Sequence, residues 1–301
     1  MENRLLRFAR LALAVARRVV PDRASRFAPG IFTQPQLLTC LLLKEHLRLN
    51  YRTAEDLIAT ADGLRAILAL RRVPDHTTLW WFARHRLTPD LVRAALAEMV
   101  RRVECEGEPR RQVALDSTGL WLSYSSRYFR WRAKRERGLR GWLKWALALW
   151  VRPQLVLAQR VRPGPCGDFS DLVPLASAAH AVFPFDERLA DAGYDSEANH
   201  VFCRERLGVV SLIRAKARRS TNLIATTPYR REMCRRLGVR GDAASRRAYR
   251  QRWKIETAIS VAKRKWGEAL TARTDRGQSL QALLRGLVYN LHRLVLLNVP
   301  A

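Results

Sequence analysis

The segment QVALDSTGLWL, residues 112–122, decides the fold because it is the first apolar, strand-like run in the chain. Its carboxylate, Asp116, lies in the middle of that run. Burying a charge there is costly unless the charge is paired or bound to a metal. The segment therefore predicts a strand with a functional carboxylate. The alternative is an aspartate that caps a strand end.

The apolar segments after residue 122 follow an order that is typical of one α/β domain. Strands are predicted at 142–151 and 155–161, a helix at 168–182, a strand at 188–194, a helix at 196–207, a strand at 208–213, and helices at about 243–267 and 279–297. Three consecutive strands indicate hairpins, and the later alternation indicates parallel additions. This order predicts an RNase H-like mixed sheet flanked by helices.

The first third of the chain has the apolar spacing of helices and no strand pattern before Arg110. Helices are predicted at 34–49, from Thr53 to the Asp62-Gly63 pair, at 74–86, and from Thr88 to about 103. We therefore predict an all-α amino-terminal domain at 1–109 and the RNase H-like domain at 110–301. The helical domain binds DNA, forms dimers, or is purely structural.

The excess of positive charge on the chain indicates a polyanionic partner. The chain has 55 Lys and Arg against 27 Asp and Glu, a net charge of +28, and nucleic acid is the first candidate. A basic composition without a nucleic-acid partner is the alternative. The five cysteines are scattered, which argues against disulfides and a zinc site. With no signal peptide or membrane span predicted, we expect a cytoplasmic protein with no small-molecule substrate.

Residues 127–144 form a basic segment with interleaved aromatic side chains. Its cations include Arg127, Arg130, Arg132, Lys134, Arg135 and Lys144. Arg and Lys in such a segment contact DNA phosphates, and an aromatic ring can stack on an exposed base. The alternative is a solvated loop with a few core aromatics.

A second candidate carboxylate is Asp191, at the end of the apolar run in LADAGY. Gly193 allows a sharp turn there, so the Asp191 carboxylate can point out of the strand tip, where ligands of open α/β sheets usually bind. Asp195 competes for this role, but its position favours an N-cap of the next helix.

The third candidate, Glu256, belongs to the segment YRQRWKIETAISVAK, residues 249–263. On one continuous helix, Tyr249, Arg252, Glu256 and Lys263 share a stripe. A separate apolar stripe would pack on the sheet and contains Ile255, Ile259, Ala262 and Trp266. A plain amphipathic helix with solvated charges has the same periodicity.

Together these segments resemble the DDE transposases of bacterial insertion sequences. Tyr249, Arg252, Glu256 and Lys263 match the spacing of that family's Y-R-E-K signature, Asp191-Ala-Gly-Tyr194 resembles its D-x-G-Y motif, and Asp116 its first-Asp strand. The resemblance covers about residues 112–297.

The resemblance implies a metal-dependent enzyme that cleaves DNA at transposon ends and transfers the strands to target DNA. Asp116, Asp191 and Glu256 would hold two Mg²⁺ ions, or Mn²⁺ as a substitute, and carboxylates suit such hard ions. Tyr249, Arg252 and Lys263 would position phosphates. Double-stranded DNA is the implied partner, bound by a homodimer. A non-catalytic basic DNA-binding protein and another RNase H-like nuclease remain alternatives.

Overall fold

A computed structural model describes residues 3–27, 30–103, 107–122, 142–216, 227–238 and 241–301. The chain divides into two compact units, residues 1–104 with 265–301, and residues 105–264. This division differs from the predicted domains, 1–109 and 110–301. The carboxyl-terminal segment belongs with the amino-terminal helices and not with the sheet.

In its described amino-terminal part, the first unit is entirely helical, as predicted. It contains α1 (Arg4–Val19), α2 (Gln34–His46), α3 (Tyr51–Thr60), α4 (Asp62–Leu68), α5 (His76–His85) and α6 (Pro89–Arg101). Thr88 caps α6 as predicted, accepting the Leu91 N–H at 3.2 Å. The predicted start of α3 at Thr53 is wrong, because Asn50 accepts the Thr53 N–H and caps the helix one turn earlier.

The first unit also contains β6 (Ala269–Leu270) and α12 (Asp275–Leu296). Most of α12 is buried, and it packs against α1, α2 and α6. The buried Arg285 donates to the carbonyl of Gly267 at 2.9 Å and lies 3.7 Å from the Glu45 carboxylate. A helix buried on nearly all sides needs neighbours all round it, and the amino-terminal helices supply them.

The second unit is built on a mixed sheet. Its strands are β1 (Gln112–Leu122), β2 (Trp142–Trp150), β3 (Leu155–Pro163), β4 (Glu187–Ala190) and β5 (Val210–Ile213). Their order in the sheet is β3-β2-β1-β4-β5, antiparallel from β3 to β1 and parallel from β1 to β5. The predicted hairpins followed by parallel additions are therefore confirmed.

Helical segments follow the strands of this unit. A 3₁₀ turn (Phe169–Asp171) leads into α7 (Leu172–Val182), which packs on β2 and β3. A second 3₁₀ turn (Ala192–Tyr194) precedes α8 (Glu197–Val201) and a π-helical turn (Phe202–Arg206), and α9 (Pro228–Leu237), α10 (Ala243–Arg250) and α11 (Trp253–Trp266) come last. The architecture is that of an RNase H-like α/β fold, as predicted from the element order.

The helix predicted over residues 243–267 is two helices. The Arg252 N–H bonds to the Tyr249 carbonyl at 3.0 Å, and the Ile255 N–H bonds to the Arg252 carbonyl at 3.1 Å. Such bonds three residues apart tighten the chain and break the α-helical ladder between α10 and α11. No helix in the described part of the chain is long and apolar enough to cross a membrane.

Candidate active site

Asp116 and Asp191 are neighbours across two parallel strands. Leu115 of β1 pairs in register with Ala190 of β4, so the next residue on each strand is an aspartate. Adjacent strands are about 4.8 Å apart, and residues in register on parallel strands share a face of the sheet. Asp116, in the middle of β1, and Asp191, directly after the carboxyl end of β4, therefore lie side by side.

A backbone amide orients each of these carboxylates. Asp116 Oδ1 accepts the N–H of Ser117 at 2.8 Å, and Asp191 Oδ1 accepts the N–H of Gly193 at 2.9 Å. Because both donors follow their aspartates within two residues, the local backbone sets the direction in which each carboxylate points.

Glu256 lies in the first turn of α11 and is half-exposed. Arg252, at the break before this helix, connects it to β1. Its Nη2 donates to Glu256 Oε1 at 2.5 Å, and its Nη1 lies 3.8 Å from Asp116 Oδ2. One guanidinium therefore lies between two of the three predicted carboxylates.

The three carboxylates interact electrostatically. The pKa of Asp116 is raised to about 6, first by burial and also by the negative charges of Asp191 and Glu256, while the Ser117 N–H and Arg252 act in the opposite direction. Like charges at close range disfavour ionisation of one another. The site therefore concentrates negative charge, which a bound cation would relieve.

The donor chemistry of this site suits a hard divalent ion, since the carboxylates offer only oxygen. Within the described ranges, no three Asp, Glu, His or Cys side chains already stand in a group that could hold one metal ion. The Arg252 contact to Glu256 gives a physical reason. A site that includes Glu256 requires this carboxylate to exchange Arg252 for the ion.

The other residues of the predicted polar stripe lie on two helices. Tyr249 lies in the last turn of α10 and is half-buried, and Lys263 lies on α11 two turns beyond Glu256. Burial raises the pKa of Tyr249, to which Asp191 also contributes, so this ring lies within electrostatic reach of the site. The continuous stripe was wrong because of the helix break, but the contact between Arg252 and Glu256 preserves part of it.

The apolar stripe of α11 is buried as predicted, but its last member has a different partner. Trp266 belongs to the first unit, where its Nε1 donates to the His46 carbonyl at 3.1 Å and its ring stacks edge-on against Tyr289 and His292. The prediction that Trp266 packs on the sheet is therefore wrong. Periodicity identifies a buried face but does not identify the surface that covers it.

Asp195 is not a helix cap, contrary to the prediction. Ser196 caps α8, accepting the Asn199 N–H at 3.1 Å. The Asp195 side chain is almost fully buried and pairs with Arg230, whose Nη2 lies 2.8 Å from its Oδ2. This ion pair holds α9 to the segment after β4 and leaves Asp191 as the carboxylate at the strand tip.

Lys144 is buried and paired with two carboxylates, although the basic segment that contains it predicted a phosphate contact. Its side chain is buried, with Nζ 2.5 Å from Asp168 Oδ1 and 2.8 Å from Asp171 Oδ2. Sequence reasoning missed this cluster. The available signal was a lysine inside an apolar strand, which needs a buried partner for the same reason as Asp116. The remaining predicted DNA contacts, Arg127, Arg130, Arg132, Lys134 and Arg135, lie outside the described residues.

The described cysteines are free thiols: Cys40 and Cys203 are buried, Cys166 is half-buried and Cys234 is exposed.

The profile of one protein family, the transposase DDE domain, matches residues 107–291. This match spans more than half of the chain and contains Asp116, Asp191 and Glu256. The chain belongs to the transposase DDE domain family. Membership makes it a transposase-type nuclease that acts on DNA, in a family that uses divalent metal ions. A search of curated proteins finds no match.

Proposed function

We propose that this protein cleaves DNA at the ends of a mobile element and joins those ends to target DNA, with Asp116, Asp191 and Glu256 as its catalytic carboxylates. The observation that supports the proposal is the register of β1 and β4, in which Asp116, within β1, and Asp191, directly after β4, follow a pair of facing residues. Both aspartates lie in the part of the chain that the family profile matches. The raised pKa of Asp116 supports Glu256 as the third member, because its charge reaches Asp116.

The reaction has two transfers of the same kind. In the first, a water oxygen bonds to the phosphorus at the element end, the bond from phosphorus to O3′ breaks, and the element keeps a 3′-OH. In the second, that 3′-oxygen bonds to a target phosphorus, and the target's own bond to O3′ breaks. Mg²⁺, or Mn²⁺ in its place, would supply charge stabilisation at the attacking and leaving oxygens.

Within this scheme, the three carboxylates hold the divalent ions and Arg252 changes partner. Arg252 contacts Glu256 in the structure described here. If Glu256 released Arg252, the freed guanidinium would be available to bind a phosphate oxygen, which suits the forked donor geometry of arginine. Tyr249 and Lys263 lie before and after the Arg252 and Glu256 pair in the sequence, and they would bind neighbouring phosphates.

A surface of the first unit also supports DNA as the partner. Helix α5 exposes Trp80 and Trp81, which are 46% and 49% exposed, although its opposite side buries Leu79 and Phe82. Arg84 lies over the Trp80 ring at 5.1 Å and Arg86 over the Trp81 ring at 5.6 Å. Arginines beside exposed rings match a phosphate backbone and its sugars or frayed bases.

The test uses a plasmid whose insert is bounded by the DNA that flanks the gene for this protein. With Mg²⁺, wild-type protein should produce 3′-OH ends at the insert boundaries and joined products, and EDTA should abolish both. Asp116→Asn, Asp191→Asn and Glu256→Gln should each reduce cleavage to background while DNA binding remains. Asp186→Asn is the matched control, because Asp186 precedes β4, at its other end, and accepts the Arg111 N–H at 2.8 Å.

The outcomes separate the competing functions. Cleavage by Glu256→Gln at the wild-type rate would remove Glu256 from the site. DNA binding by wild type without cleavage in either metal would favour a non-catalytic basic DNA-binding protein. Cleavage of branched DNA with no joining at element ends would favour another RNase H-like nuclease. Joining of two ends by one complex requires two active sites, so we propose a homodimer on DNA, which the size of the assembled complex tests.

A further inference from the structure

A third aspartate, Asp168, lies in the loop between β3 and α7. Its Oδ1 accepts the hydroxyl of Ser117 at 2.6 Å. The same oxygen lies 2.5 Å from Lys144 Nζ. Ser117 and Lys144 are on one face of the sheet, since Ser117 pairs with Ala146 and Gly119 with Lys144. Asp116 points to the opposite face.

The other oxygen of Asp168 packs against Gly193. A Cβ on Gly193 would lie 2.8 Å from Asp168 Oδ2 and 3.0 Å from Asp191 Oδ1. The first distance is shorter than real Cβ contacts and the second is tighter than most of them, so a side chain at position 193 would displace one or both carboxylates. Asp168 therefore contacts both residues whose backbone N–H groups orient the strand-tip aspartates, Ser117 for Asp116 and Gly193 for Asp191.

Neutralising Lys144 does not require Asp168. Asp171 is fully buried and already lies 2.8 Å from Lys144, 3.0 Å from Arg160 and 2.6 Å from Arg162. Asp168 is therefore a second anion next to Lys144, which already has an anionic partner in Asp171. The Asp168 side chain is one-third exposed beside the site. Burial opposes its charge, but Lys144 and Ser117 hold the pKa of Asp168 below its usual value, so it remains an anion.

We infer that Asp168 is a positioning residue for the metal-binding carboxylates: anchored by Lys144, it fixes Ser117 and Gly193, and through their N–H groups it fixes the directions of Asp116 and Asp191. This inference deepens the proposed function and rests on it for its catalytic meaning. Groups that orient metal ligands without touching the ion commonly change metal affinity about 10–100-fold when they are mutated.

The experiment compares wild type with Asp168→Asn, Ser117→Ala and the control Asp186→Asn, all free of metal. Asparagine keeps the shape of Asp168 but loses the ion pair, and Lys144 keeps Asp171, so the fold is retained. Amide hydrogen exchange, measured by NMR, should become faster at both Ser117 and Gly193 in Asp168→Asn. In Ser117→Ala it should become faster at residue 117 and stay unchanged at Gly193, and in Asp186→Asn neither should change.

Titration with Mn²⁺ is the second readout, measured from the loss of the free-ion EPR signal. Affinity should fall about 10–100-fold in Asp168→Asn and remain at the wild-type value in Asp186→Asn. Unchanged exchange at Ser117 and Gly193 in folded Asp168→Asn overturns the inference, as does faster exchange with unchanged Mn²⁺ affinity.

These readouts separate the two proposals. If wild type fails to cleave element ends but Asp168→Asn shows both changes, the proposed function fails and the positioning role stands. If wild type cleaves and Asp168→Asn matches it in exchange and in Mn²⁺ affinity, the positioning role fails and the proposed function stands.

Discussion

Replacing Asp116 with asparagine should stabilise the metal-free fold at neutral pH while it abolishes cleavage. The Asp116 carboxyl has a pKa of about 6 instead of 3.8, because burial and then Asp191 and Glu256 disfavour its charge. A raised acid pKa means that the folded state binds the proton more tightly than the unfolded state. Stability from this group is therefore lost as the pH rises from about 4 through about 6.

The size of the effect follows from that shift. One pKa unit corresponds to about 1.4 kcal/mol, so a shift of roughly two units sets an upper limit of about 3 kcal/mol. Solvent reaches this side chain, which is 19% exposed, and reduces the expected gain to about 1–3 kcal/mol. Asparagine can still accept the Ser117 N–H, so the orienting hydrogen bond is retained.

The assay is urea unfolding in EDTA at pH 7.5 and at pH 4. Asp116→Asn should have the higher free energy of unfolding at pH 7.5, and the difference should largely vanish at pH 4. Asp186→Asn should behave in the opposite way, because the Arg111 N–H lowers the pKa of Asp186 despite burial, and its charge therefore stabilises the fold above that pKa. If Asp116→Asn is no more stable than wild type at pH 7.5, the conclusion that burial and neighbouring charges disfavour the ionised Asp116 carboxylate is refuted.

Further predictions concern four other positions. Lys144→Met should destabilise the second unit by about 3–5 kcal/mol in thermal or urea unfolding, because it leaves buried Asp171 with fewer cations; a loss below about 1 kcal/mol would contradict the buried cluster. Gly193→Ala should reduce Mn²⁺ affinity without loss of DNA binding, since the new Cβ meets Asp168 and Asp191; wild-type affinity would argue against the close approach. Arg84→Ala should weaken DNA binding and reduce the slope of log K against log salt by about 1 if it contacts one phosphate, and an unchanged slope removes α5 from the interface. Burial lowers the pKa of His46 to about 4, so its contribution to stability is lost as the pH falls from about 6.5 to about 4, and His46→Phe should flatten that part of the pH profile of urea unfolding.

Strands and strand-tip carboxylates could be predicted from sequence because their signals are local. The apolar pattern of residues 112–122 predicts both ends of the strand, and the charged side chain of Asp116 is conspicuous within it. Asp191 follows an apolar run and precedes a turn, which is the pattern of a strand end. Both positions come from residue type and near neighbours alone.

The missed features depend on contacts between distant segments. The pairing of Lys144 with Asp168 requires the register of β1 and β2 and the path of the loop after β3, neither of which a single segment encodes. The break between α10 and α11 coincides with four hydrogen bonds between residues three apart, donated by Gln251, Arg252, Lys254 and Ile255, in a sequence that has no proline or glycine there. The apolar sequence of α12 indicates that this helix is buried, but it does not indicate which unit supplies the residues that pack against it.

The most direct test of the central claim is a crystal structure of the protein with Mn²⁺ and DNA, in which anomalous scattering locates the ions. We predict ions coordinated by oxygens of Asp116 and Asp191, with Glu256 released from Arg252 and bound to one of the ions. Ions bound elsewhere, with the Glu256 carboxylate still on Arg252 while a DNA phosphate occupies the strand tips, would contradict it.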